Sequence, residues 1–142
     1  MFVPQIGLGA AKLALAAAEE KAAAIGVRST IVVLDHGGEL VGMARMDGAW
    51  PGAFDVAVGK AQTSRSFHAP SAAFVPMIQP GAALFSIGNA AGGKYVILGG
   101  GLPIEIDGHV AGAIGVSGGT VEQDTAVAEA ALATIKSSKE RK

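Results

Sequence analysis

From Leu8 to Ile25, apolar residues return every three or four positions at Leu8, Ala11, Leu15, Ala18, Ala22 and Ile25. This predicts one helical stripe, which Gly26 ends. Leu13 projects from the opposite side, a first sign of a second buried face. The period then shortens. Thr30 to Leu34 is β-branched and apolar, a buried strand, and Asp35, His36, Gly37, Gly38 and Glu39 turn the chain into a return strand from Leu40 to Met46. A loop from Asp47 to Gly52, holding Trp50, leads into a helix from Ala53 to Phe67 with an inward stripe of Phe54, Ala57, Val58 and Ala61, continued by Arg65. His68, Ala69 and Pro70 stop this helix, and Ser71 is placed to cap a short one running to Met77.

Lys94 to Leu98 is a third short strand candidate. In Leu102 to Ile106, Ile104 and Ile106 alternate with Glu105, as in a strand with one wet face. Asp107 and Gly108 suit a two-residue type I′ turn, because both central positions of that turn need positive φ. The return strand, Val110 to Ser117, is apolar or tiny on both faces, so it is predicted to be central and closely covered. Gly118 and Gly119 end it. Thr120 and Gln123 then form a capping box, worth about 1 kcal/mol, for a final helix whose stripe is Val121, Val127, Ala128, Ala131 and Ile135 with Asp124 in its midst. A carboxylate there is most simply satisfied by N–H groups of the helix start. Five strands in hairpins on both sides of a central helix predict an α+β layered domain with an antiparallel sheet.

Composition adjusts this picture in four ways. The 142 residues are enough for one domain with one core, and the abundant Ala and Gly point to thin layers and close backbone approach. The formal net charge is −1, and four of the eleven Lys and Arg residues fall in 136–142, a basic tail expected to fray, so the body presents no basic face for nucleic acid. There is no Cys, hence neither disulfide nor thiolate metal site, and no signal peptide pattern, which makes the cytoplasm the expected compartment. Ala69 to Gly93 carries no charge, but Pro70, Pro76 and Pro80 with Gln79 and Asn89 exclude a membrane helix, so a buried or subunit-covered connection is expected.

Chemistry is sparse. Gly115 to Gly119 matches G-x-S-x-G around Ser117, but every histidine precedes Ser117 and the elbow needs one after it. No two of His36, His68 and His109 share metal-ligand spacing. His68 stands out for its place beside the uncharged segment, which could line an apolar pocket.

The strings VVLDHGGELVGMARMDGA (32–49), KAQT (60–63) and GGLPIEIDGHVAGAIGVSGGTVEQD (100–124) together resemble the GlcG/HbpS family of haem-binding or haem-degrading domains, related to the C-terminal domain of PduO-type proteins. The resemblance spans nearly the whole chain. It implies a profilin-like three-layer α/β/α fold around a five-stranded antiparallel sheet, and a homo-oligomer, tetramer or octamer. Haem or another tetrapyrrole is the implied ligand, with His68, Arg65, Lys60, Trp50, Phe74 and Met77 as its candidate contacts and His68 as candidate iron ligand. An alternative is a small carboxylate metabolite met by Arg65, Lys60, Ser117 or the Thr120 helix terminus, and a third reading is a scaffold without ligand.

Overall fold

The structure is a computed structural model that describes residues 3–135; the predicted basic tail lies outside the described residues. Three helices, α1 (Leu8–Ala24), α2 (Ala53–Phe67) and α3 (Val121–Leu132), accompany four strands, β1 (Thr30–Asp35), β2 (Leu40–Arg45), β3 (Gly101–Ile106) and β4 (His109–Ser117). The sheet is antiparallel throughout, in the order β2-β1-β4-β3. Helices α1 and α3 pack together on one face, and α2 crosses the other over β1, β3 and β4.

Residue choice explains the layering. Ile31 and Val33 enter the core under α1 and α3, while Val32 and Leu34 face α2, so β1 is buried on both sides. The same holds for β4, where the small residues decide how near α2 can come. A methyl group at Gly115 would overlap the Ala57 carbonyl, and one at Gly101 would overlap the Lys60 carbonyl. Helix and sheet therefore touch backbone to backbone. The turn at Asp107 and Gly108 has φ of 51° and 80°, the paired positive values of a type I′ hairpin.

Three expectations are corrected. The sheet has four strands among the described residues, because Lys94 to Leu98 gives its backbone groups to other partners. The Val96 N–H donates to Gly59 O, its carbonyl accepts from Thr63 Oγ1, and Leu98 O accepts from Ser71 Oγ. Ser71 is accordingly a buried clamp, also accepting from the Gly101 N–H at 2.8 Å, and Pro70 takes the N-cap of the 3₁₀ turn Ser71–Ile78. Finally, Phe54 is 36% exposed, and the inward side of α2 is Ala53, Ala57, Lys60, Ala61 and Ser64, since the close approach leaves no room for a ring.

Candidate functional site

Helix α2 ends where Pro70 forbids another turn, and His68 closes it in the left-handed region at φ 55°, ψ 40°. A β-carbon is disfavoured in that conformation, and glycine is the usual occupant. The imidazole is exposed, directly after a ring that builds an aromatic wall. Phe67 meets Phe74 edge-on, with centroids 5.6 Å apart, and Tyr95 at 4.9 Å. Phe67, Phe74, Leu84, Ile87 and Ile97 line a small, partly open apolar pocket of about 90 Å³. The segment 69–93 thus supplies most of an apolar site, but it is not buried within one chain: Met77 is 46% and Phe85 59% exposed.

On the other side of the Ser71–Ile78 turn lies a larger open groove of about 620 Å³, between Ala72, Val75 and Pro76 and the outer face of α3 with Val121, Ala126 and Glu129. Its charged groups are Glu122 and Glu129.

The remaining candidates separate into other places. Arg65 is half-buried and holds the β1–β2 turn, donating from Nε to Gln62 Oε1 at 3.0 Å, from Nη1 to His36 O at 3.3 Å and from Nη2 to Ser66 Oγ at 3.0 Å. In that turn Asp35 Oδ1 accepts from the Glu39 N–H at 3.0 Å, and Gly37 sits exposed at its tip. Trp50, 63% exposed, precedes α2, whose 15 residues span about 22 Å, so one chain does not bring it to His68.

Lys60 leaves the candidate contact surface altogether. It is 1% exposed, and its Nζ donates to Asp124 Oδ2 at 2.9 Å and to Val116 O at 2.8 Å. Asp124, 2% exposed, accepts with its other oxygen from the Gly119 N–H at 2.9 Å. This ion pair ties α2 to α3 across the end of β4. The start of α3 is otherwise closed by its capping box, Thr120 Oγ1 accepting from the Gln123 N–H and Gln123 Oε1 from the Thr120 N–H. Ser117 is buried at the adjacent strand end, and Gly118 turns the chain there with φ 150°.

The Lys60–Asp124 pair was readable in outline. One charged residue falls on the inward side of each helix, with opposite signs. Sequence reasoning found Asp124 but assigned it only backbone donors, because the distance between α2 and α3 is a tertiary fact. His36 was also under-read: its Nδ1 lies 2.7 Å from Val110 O, and since a carbonyl only accepts, that nitrogen carries the proton.

Among the described residues, a four-stranded antiparallel sheet between helical layers, with an aromatic-walled apolar surface at one helix end, defines a small layered α/β domain. The family follows from comparison: residues 6–133 match the model of the haem degrading protein HbpS-like family, and the chain belongs to it. Among its relatives is an uncharacterized 15.0 kDa protein from the dhaT-dhaS intergenic region of Citrobacter freundii, 42% identical over 92% of both chains. Klebsiella pneumoniae protein ORFY superposes with a TM-score of 0.92 at 37% identity, covering 94% of this chain and 92% of its own. The PduOC:heme complex superposes at 0.89 and 31% identity, covering 93% and 96%.

Proposed function

We propose that this chain is a self-associating tetrapyrrole-binding protein that takes haem or a close relative against the Phe67, Phe74 and Tyr95 wall, with His68 as the iron ligand. Support comes from the family and from a related structure described as a heme complex. The observation that carries the reading is His68 itself, an exposed imidazole beside an apolar wall, at a backbone position where glycine would be more stable.

The chemistry of these residues fits the group: imidazole nitrogen is a common iron ligand, and aromatic and aliphatic side chains suit a flat apolar ring. Bound haem would supply redox and small-ligand chemistry at its iron. Volume decides which surface would hold the group. Pockets for ligands of that order hold about 300–1,000 Å³, whereas the pocket beside Phe67 and Phe74 holds about 90 Å³. The larger groove brings Glu122 and Glu129, which repel the carboxylates a haem carries. Phe67, Phe74 and Tyr95, at the open apolar surface, would therefore hold the ring.

The small-carboxylate alternative loses Lys60 to Asp124 and the start of α3 to its capping box, which leaves Arg65 as its remaining cation.

Haemin titrated into the purified chain is expected to give a Soret shift that saturates at fixed stoichiometry and weakens at least about tenfold in His68→Ala, a loss of about 1.4 kcal/mol. A broad change without saturation, identical in the variant, refutes the proposal. Stabilisation by glycolate or lactate but not by haemin would favour the carboxylate reading instead.

A further inference from the structure

Both walls of the open groove beside α3 are fixed by contacts within the fold. Ser71 Oγ donates to Leu98 O and accepts from the Gly101 N–H at 2.8 Å, which anchors the turn that carries Ala72, Val75 and Pro76. Across from it, α3 is held by its capping box and by the buried Lys60–Asp124 pair. Gly99 lies buried between them, and a β-carbon there would come within 3.0 Å of Val121 Cγ1. The groove keeps its width because residue 99 has no side chain.

We infer that this groove is a second ligand site, and that it takes an apolar organic cation: an amine or quaternary ammonium joined to an aromatic or aliphatic body. The inference does not rest on the tetrapyrrole reading.

The lining selects that class by elimination. Its volume of about 620 Å³ falls within the range of small-molecule sites, about 300–1,000 Å³. Val75, Leu98 and Val121 give it a surface suited to hydrocarbon. Its one hydroxyl, Thr125 Oγ1, already donates to Val121 O at 2.7 Å, so the neutral side chains offer no free donor to a sugar or other polyol. Glu122 and Glu129 are the charged groups of the lining, both exposed, and neither is ion-paired with a Lys or Arg among the described residues. Seven positions apart on α3, they stand two turns from each other on one face, about 10 Å along the axis, and spread a negative potential over the groove. An anion is repelled there, as the carboxylates of a haem are. A cation with an apolar body meets both halves of the lining.

Phenethylamine, phenethyl alcohol and hydrocinnamate present a cation, a neutral group and an anion on one phenethyl body. Each is titrated at low salt into the isotope-labelled full chain, and the amide NMR shifts of Gly99, Thr125 and Ala126 are followed. The amine is expected to saturate and to bind at least about fivefold tighter than the alcohol, with hydrocinnamate weakest, and added salt is expected to erase most of the amine's advantage. Glu122→Gln together with Glu129→Gln is expected to bring the amine to the affinity of the alcohol. Ala126→Phe fills the groove from the outer face of α3 and is expected to abolish the shifts with amine and alcohol alike; circular dichroism verifies the fold of both variants. Equal affinity of amine and alcohol for the wild-type chain overturns the inference. So does an amine affinity unchanged in the double Gln variant, or the absence of a saturable shift at Gly99 and Thr125.

Discussion

Replacing Lys60 by Ala tests the most consequential contact in the fold. In the native chain the ammonium meets Asp124 Oδ2 at 2.9 Å and Val116 O at 2.8 Å, both inside the protein. The truncation leaves a carboxylate that is 2% exposed with the Gly119 N–H as its remaining partner, and leaves Val116 O without that donor. Breaking a buried pair by removing one partner costs about 3–5 kcal/mol, because the surviving charge is uncompensated. For a chain of this size that lowers Tm by about 10–15 °C.

Urea unfolding at neutral pH measures the effect as a shift in midpoint at constant m-value. The double variant Lys60→Met, Asp124→Asn removes both charges while keeping an oxygen for the Gly119 N–H. It is expected to recover at least about 2 kcal/mol of the loss, since a buried pair replaced as a unit is often close to neutral. The reasoning fails if Lys60→Ala costs less than about 1 kcal/mol, or if the double variant is no more stable than the single one.

Thr120→Ala removes the hydroxyl that accepts from the Gln123 N–H and is expected to cost about 1 kcal/mol in the same urea assay. Gly115→Ala drives a methyl group into the Ala57 carbonyl, so α2 must lift from the sheet; a loss of about 1–3 kcal/mol is expected. His68→Gly relieves the left-handed backbone and is expected to raise stability by about 1 kcal/mol while weakening haemin binding at least about tenfold, as His68→Ala does. Trp50→Ala, at the far end of α2, is expected to leave the haemin affinity of an isolated chain unchanged.

Most of the secondary structure was legible because it rests on local rules. The Asp107–Gly108 hairpin needs two positive φ values, and the Thr120–Gln123 box satisfies N–H groups within one turn, so short stretches of sequence suffice to predict both. Period and side-chain size were enough to mark β1 and β4 as strands covered on both faces. They were not enough for Lys94 to Leu98. That segment is strand-like in composition, yet Gly59, Thr63 and Ser71 capture its hydrogen-bonding groups, and those partners lie at least 27 residues away in the chain.

The candidate site divides along the same line. Sequence by itself determined that an uncharged, proline-punctuated segment follows a helix ending at His68, and that Asp124 interrupts an apolar stripe. Tertiary structure alone decided that Lys60 reaches Asp124 and leaves the surface, and that Arg65 turns toward the β1–β2 hairpin. The reason is range. Caps, turns and periodicity depend on neighbours in the chain, whereas ion pairing and cavity walls depend on how closely two layers approach, and here glycines at Gly101 and Gly115 set that distance.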